Sequence, residues 1–453
     1  MHPSDVTRPV AGYFASVTAT ELSSHLQRGT LESREVVQRC LDEIERLNPL
    51  INAFVHVDAE GACRAAAASD RRRAEGHALG PLDGLPVAVK DNIDTFDMPT
   101  TYGSAHFAGH RPLRDAACVS SLRAAGAIIV GKTLTHEFAY GPTGDRSLQG
   151  AARNPHDMSR MTGGSSAGSA AAIAAGMVPL ALGTDTGGSV RIPSALCGTV
   201  GFKPSFNTVP MDGVFPLSSS LDHLGTMART VADAALIFRA LSPGAETVDG
   251  PTGRPRVAWI DGSDLGPVDP AVRACVRRHA EEWLAGKVES FDAVEDVQPL
   301  SRRLLACVAA LQRSEAYAVH AARMRAAPEL FDAEVRSRLE VSAQVAGWEY
   351  VQGLHEQRLL REAMATFFTR YDLLVMPTTP ITAPRVGERD IIVDGTRTDA
   401  RAALLSLTSP WNATGLPALS VPAGCVAGLP VGLQIVAPFA RDAWLLRLFE
   451  SVG

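Results

Sequence analysis

Between Arg160 and Asp185 the chain carries no charged side chain. The stretch reads TGGSSAGSAAAIAAG over residues 162–176 and continues as MVPLALG. It is long enough to cross a bilayer. Its first third argues against a span: Gly163, Gly164, Ser165, Ser166, Gly168 and Ser169 are too polar and too flexible, and Gly176 and Pro179 break what remains. A Gly/Ser linker is the next reading, but a linker has no reason to run into an apolar segment. What remains is a glycine loop feeding a helix of small residues. Such loops bring backbone N–H groups close to a ligand or a reacting atom.

Around this stretch the chain alternates between two textures. Short, nearly continuous apolar runs occur in GLPVAVKDNID from residue 84, in AGAIIVGKT from 125 and in MVPLALGTDTGGS from 177. YDLLVMPTTP, LPALSVPAG and LPVGLQIVAP repeat the pattern nearer the C-terminus. Such runs, separated by helical segments, predict the central strands of an α/β sheet. RDAACVSSLRAAG reads as the crossover helix between the first two. Thr18 with Glu21 three residues later predicts a capping box. Val36, Val37, Cys40, Leu41, Ile44 and Leu47 recur at helical spacing, and RAAAASDRRRAEG predicts another helix with a solvated basic face. Residues 270–370 read as mostly helical and charged. No repeat and no linker composition divides the 453 residues, so one large domain over 1–453 is expected.

Composition removes several function classes. A net charge of −6 gives no sign of nucleic acid or an anionic membrane as a partner. The seven cysteines are scattered, and none forms a C-x-x-C pair. That predicts reduced thiols and no structural zinc. With an N-terminus that lacks the apolar core of a leader, the expected location is the cytoplasm. Only four lysines occur, at 90, 132, 203 and 287, and arginine supplies the remaining cations. Each retained lysine is therefore more informative.

GTDTGGSVR, residues 183–191, is the next candidate for chemistry. Successive N–H groups in a tight glycine turn can converge on one point as an anion nest. A serine closing that turn, Ser189, is placed for nucleophilic attack with the nest as oxyanion hole. The plain alternative is a serine that caps a helix. A serine hydroxyl needs a base. His136 and His223 are candidates; so is Lys90, which ends an apolar strand. A desolvated lysine loses its proton more easily, although a salt bridge to Asp91 or another acid is the competing reading. GSSAG at 164–168 also matches G-x-S-x-G, which would make Ser166 the nucleophile of an α/β-hydrolase esterase with Asp222 and His223, or His320, drafted to complete a triad.

GLPVAVKDN, TGGSSAGSAAAIAAG, GTDTGGSVRIPSALCGTVGFKP, SSSLDHLGTMART and NATGLPALSVPAG…LPVGLQIV together resemble the amidase signature family. The resemblance runs from about residue 17 to the C-terminus, and its motifs are long and ordered. It implies an α/β amidase signature fold with a central mixed sheet flanked by helices on both faces. The N-terminal helical region would be 17–80, the catalytic signature core 81–240, and 270–370 a helical insertion or lid-like layer. It further implies hydrolysis of amides through Ser189 as nucleophile, Ser165 as a bridging serine after a cis peptide, and Lys90 as base. The oxyanion hole would be the N–H groups of Thr186, Gly187, Gly188 and Ser189, with Asp185 and Arg191 bracing the loop. No metal or organic cofactor is implied.

The family leaves the substrate open. Its members cleave fatty amides, aryl amides, small dicarboxylic amides, allophanate and glutaminyl groups in a tRNA-linked complex. HEFAYGPTGDRS departs from the pattern of the last group, Gly187–Gly188–Ser189 departs from the allophanate pattern, and no hydrophobic membrane-binding cap is visible for the fatty-amide pattern. The texture is similar to bacterial aryl-amide amidases and to urethanases that cleave carbamates. The expected partner is a small amide or carbamate, with the chain a monomer or homodimer; the alternative is an amidotransferase-like subunit of a larger complex. Met161, Phe138, Tyr140 and Trp411 are the candidate pocket residues.

Overall fold

The computed structural model describes residues 10–244, 250, 253–294 and 298–450. The extreme ends of the expected 1–453 domain lie outside the described residues. The strands in chain order are β1 (Phe54–Val57), β2 (Pro86–Lys90), β3 (Ile128–Thr133), β4 (Arg153–Asn154), β5 (Asp157–Met161), β6 (Leu180–Asp185), β7 (Val200–Lys203) and β8 (His223–Ala228). They continue with β9 (Arg256–Trp259), β10 (Ser290–Ala293), β11 (Leu373–Pro377), β12 (Asp390–Val393), β13 (Thr396–Asp399), β14 (Ala418–Val426) and β15 (Leu429–Val436).

Eleven of these form one sheet in the order β1-β3-β2-β6-β8-β7-β14-β15-β11-β9-β10. The β2–β3, β2–β6, β9–β11 and β9–β10 pairs are parallel. The neighbours from β6 through β8, β7, β14 and β15 to β11 pair antiparallel. The sheet is therefore mixed. β4–β5 and β12–β13 are separate two-stranded hairpins.

Helices cover both faces, and strand periodicity shows which. In the antiparallel β6–β8 pair, Gly183 faces Gly225 and Leu182 faces Thr226. Side chains two apart share a face. Thr226 Oγ1 donates to Ala234 O in the helix Val231–Leu241 on one side. On the other, Gly183 lies against Ser166 and Gly225 against Val190, at the heads of the helices Ala167–Ala174 and Arg191–Cys197. β2, β6, β11 and β15 are buried along their whole length. This is why they read as unbroken apolar runs rather than alternating ones.

The small-residue helix is Ala167–Ala174, with every residue from Ala167 to Ile173 buried. It is a core element. Among the described residues no helix is long and apolar enough to cross a membrane. The Thr18–Glu21 capping box starts the helix Ala19–Gln27, and the crossover helix is Ala117–Ala124. The 270–370 block divides in two. The helix Pro270–Leu284 packs on β11, β14 and β15, and β10 is the sheet's edge strand, so residues 270–294 belong to the sheet layer. The helices Gln298–Ala326, Ala333–Ser342 and Gly347–Phe367 pack on one another as a further layer.

Candidate active site

Lys90 is the last residue of β2, and strand alternation puts it on the face that carries Gly183 and Asp185. It is fully buried. Its Nζ lies 2.7 Å from Ser165 Oγ and 2.7 Å from Thr184 Oγ1, which also accepts from Asn92 Nδ2 at 3.0 Å. Burial pushes the ammonium down to about 7, against the opposing pull of Asp185 and Asp222. Thus the neutral amine is accessible near neutral pH. The salt-bridge alternative fails. Asp91 is 3.6 Å from Lys132 and accepts from Thr101, and no hydrogen bond joins it to Lys90 among the described residues. Lys132 and Lys203 are also fully buried, with Lys132 Nζ on Ile93 O and Thr100 Oγ1 and Lys203 Nζ on Leu416 O. Three of the four lysines are thus interior.

Ser165 follows a cis peptide bond from Gly164, and its carbonyl accepts from His136 N–H at 3.1 Å. Close packing of the serine pair on β6 depends on Gly183, where a Cβ would meet Ser166 Oγ at 2.7 Å. Ser166 itself is locked to β6. Its hydroxyl donates to Thr184 O at 3.2 Å and accepts from Thr184 N–H at 3.3 Å. The drafted esterase partners are elsewhere. Asp222 accepts from Thr186 Oγ1 and from the N–H groups of Leu217 and Ser218. His223 Nδ1 sits 2.7 Å from Leu221 O, and His320 is enclosed by the rings of Phe138, Phe215 and Phe331. The G-x-S-x-G match is thus not an active serine with a triad. His136 is buried, with no hydrogen-bond partner for its Nε2 among the described residues and its ring against Gly141.

Ser189 lies on the turn after β6. Its carbonyl accepts from Ser166 N–H at 3.2 Å, which ties the turn to the serine pair. It does not cap the following helix, whose N-cap is Val190 with no side-chain cap bond. Among the described residues no hydrogen bond engages the Ser189 hydroxyl; Lys90 bonds Ser165 directly, and the Ser189 backbone is tied to the adjacent Ser166. Asp185 shapes the turn. Its Oδ1 accepts from Gly188 N–H at 2.7 Å and its Oδ2 from Val190 N–H at 3.1 Å, while Arg191 binds both oxygens at 2.9 and 3.0 Å. Asn412 Nδ2 adds a bond at 2.9 Å. Burial would raise the Asp185 carboxyl, but Arg191, followed by Lys203 and Asn412, holds it well below the usual carboxylate range. Arg191 is itself held by Gln434 Oε1, Asn412 Oδ1 and Thr408 O at 2.6–2.9 Å.

Gly188 differs from the expected set of four oxyanion donors. Gly188 N–H is committed to Asp185. The N–H groups of Thr186, Gly187 and Ser189 have no hydrogen-bond partner among the described residues and remain available. Gly188 serves through its φ of +131°, and a Cβ there would collide with Thr408. The pocket candidates also separate. Tyr140 lines the space at Ser189 with Ala139, Gly141, Pro142, Leu217 and Leu405. Met161 is packed with Ile192 and Leu196, and Trp411 is in another core cluster with its Nε1 on Leu407 O. Phe138 belongs to an aromatic cluster with Phe215, His320 and Phe331. These three are core residues. The sequence reading assigned no role to Thr184, Asn92, Thr408, Asn412 and Gln434, and it drafted Asp222 only for the esterase triad; all but Thr408 stand inside motifs already singled out, but their bonds join distant segments.

The space at Ser189 holds about 10 Å³, room for roughly one water. Gln312, Arg401 and Leu405 line both this space and an adjoining cavity of about 320 Å³, within the size range of ligand sites. Another cavity, of about 670 Å³, shares no lining residue with Ser189's space. Among the described residues no cluster of three or more His, Cys, Asp or Glu is placed to hold a metal ion.

The Amidase family model matches residues 35–446, and with the mixed sheet and the buried Lys90–Ser165 pair it fixes the class: the chain belongs to the amidase signature family of hydrolases. It is 37% identical to a glutamyl-tRNA(Gln) amidotransferase subunit of Symbiobacterium thermophilum, with 95% of each chain covered. It is 36% identical to AtzE, the 1-carboxybiuret hydrolase subunit of Pseudomonas sp. (strain ADP), over 94% of this chain and 96% of that one. A solved amidase structure superposes with a TM-score of 0.89 at 34% identity, over 96% of this chain and 98% of that one. The amidotransferase role, set furthest away by the sequence motifs, therefore stands as near to this chain as the hydrolase role does.

Proposed function

We propose that the chain is an amidohydrolase that breaks the C–N bond of a small amide or carbamate of the aryl-amide or urethane type through Lys90, Ser165 and Ser189. The carrying observation is the buried Lys90 Nζ 2.7 Å from Ser165 Oγ, with a pKa near 7. Neutral Lys90 takes the Ser165 proton as Ser165 takes the proton of Ser189. Ser189 Oγ attacks the carbonyl carbon, and the free N–H groups of Thr186, Gly187 and Ser189 receive the developing oxyanion. Collapse breaks the C–N bond, and the proton returns through Ser165 to the leaving nitrogen. Water, deprotonated by the same relay, then releases the acyl group. Asp185 and Arg191 fix the turn. They touch no reacting atom.

A fluorophosphonate label located by peptide mass spectrometry tests the nucleophile. Label on Ser189 is expected; label on Ser166 would refute the assignment. A 4-nitroanilide and a carbamate with the same 4-nitroaniline leaving group test the substrate. Comparable or better kcat/KM on the carbamate supports the urethane type. A carbamate rate lower by about 10³, or ~4 kcal/mol of transition-state binding, leaves the aryl-amide type alone.

A second reading rests on the 37% identity to an amidotransferase subunit: an amide-cleaving component of a larger assembly. Size exclusion separates the two. A monomer or homodimer that turns over alone supports the hydrolase; activity that appears only with a bound partner supports the assembly.

A further inference from the structure

The two spaces at Ser189 have an unusual charge balance. Their linings include Arg313 and Arg401 and contain no Asp or Glu. Arg401 is on the short helix Ala400–Ser406, one turn before Leu405, and both side chains reach the wall shared by the two spaces. Its guanidinium lies over the Tyr140 ring, 5.9 Å from the centroid. Its Nε is buried and has no hydrogen-bond partner, and no ion pair involves Arg401 among the described residues.

Neighbouring charges do not supply the missing partner. Arg146, Arg338 and Arg389 share Glu334, and Arg389 also holds Asp145. These carboxylates are already divided among three arginines. Burial, then the repulsion of Arg401, lowers Arg338 to about 10, which shows how positive this wall is. A partly buried guanidinium with a dry, unpaired N–H is costly unless something else accepts from it. The open side of Arg401 is the cavity that leads to the nucleophile.

We propose that the substrate is an amide bearing a carboxylate, and that Arg401 is the specificity-determining residue that binds it. The carboxylate sits in the 320 Å³ cavity, with Arg313 at its wall, while the carbonyl enters the small space at Ser189. A guanidinium fork suits a two-oxygen acceptor and gives orientation as well as attraction. The inference rests on the hydrolase reading and narrows its substrate class.

The test compares the 4-nitroanilide of succinic acid, which keeps a free carboxylate, with that of butyric acid. The wild-type kcat/KM should favour the succinic compound by on the order of 10²-fold. Arg401→Met should collapse that ratio toward one, and Arg401→Lys should keep part of it. No preference in the wild type overturns the proposal. So does an equal fall on both substrates in Arg401→Met, which would mark a structural role. A separate readout needs no turnover: succinate should raise the wild-type Tm, and this rise should vanish in Arg401→Met. If neither anilide is cleaved and Ser189 takes no label, the hydrolase reading fails, and the Tm shift alone decides whether the anion site exists. No shift there overturns it.

Discussion

Lys90→Met separates what the buried lysine does for chemistry from what it does to stability. Methionine is of similar length, so the change removes the amine and leaves little cavity. Lys90 falls from its ordinary value of 10.5 to about 7 in the folded chain. A shift of this size corresponds to about 5 kcal/mol favouring the neutral form, at about 1.4 kcal/mol per unit. The folded pKa is the lower one. The destabilisation is therefore complete below pH 7, where both states are protonated, and it disappears as pH rises through the unfolded value near 10.5. Against it stand the hydrogen bonds to Ser165 and Thr184, at about 1 kcal/mol each. The variant should be more stable than wild type by about 3 kcal/mol near pH 6 and less stable by about 2 kcal/mol above pH 10. Urea unfolding midpoints of both proteins across that range measure the crossover, and kcat/KM of the variant should fall by several orders of magnitude at every pH. A stability difference that stays flat with pH would mean a charged Lys90, and the neutral-base mechanism would be wrong.

The wild-type kcat/KM should rise with pH through a single ionisation near 7 and then level off, because the protonated amine is not a base; a rate independent of pH between 5 and 9 counts against Lys90. Arg191→Met should destabilise the chain by about 3–5 kcal/mol in urea, since it leaves the buried Asp185 charge with less compensation; a loss under about 1 kcal/mol would mean the clamp is not needed. Gly188→Ala should lower kcat by about 10²-fold or more, because the added methyl displaces the turn at Thr408 and with it the free N–H groups; pre-steady-state acylation reads this directly.

Much of the fold was legible because each informative segment is local. The unbroken apolar runs became β2, β3, β6, β11, β14 and β15, since strands buried on both faces keep no polar side to alternate. Several strands were not read. β8 begins with a histidine and carries a glycine, β9 is only four residues long, and β10 lies in the block dominated by helical charge patterns. β10 is an exposed edge with a mixed pattern that carries little signal of its own. The site was legible to the extent that Lys90, Ser165 and Ser189 stand in strong motifs, and Lys90 and Ser165 meet although they are 75 residues apart.

The sequence alone determined that the charge-free stretch had to be interior, that a glycine turn would follow β6, and that a rare lysine would end a buried strand. Those conclusions need only composition, spacing and the cost of placing charge or loose backbone in a core. The tertiary structure decided which groups in the turn are free. Gly188 N–H is lost to Asp185, and Arg191 is fixed by Thr408, Asn412 and Gln434, which are 217, 221 and 243 residues away in the chain. It also decided that Tyr140, packed in one cluster with Phe138, lines the pocket as well, while Phe138, Met161 and Trp411 only fill cores, and that Arg401 faces the nucleophile's cavity with no carboxylate partner among the described residues. Hydrogen-bond competition and cavity lining are properties of neighbours in space, and the spacing of residues along the chain does not record them.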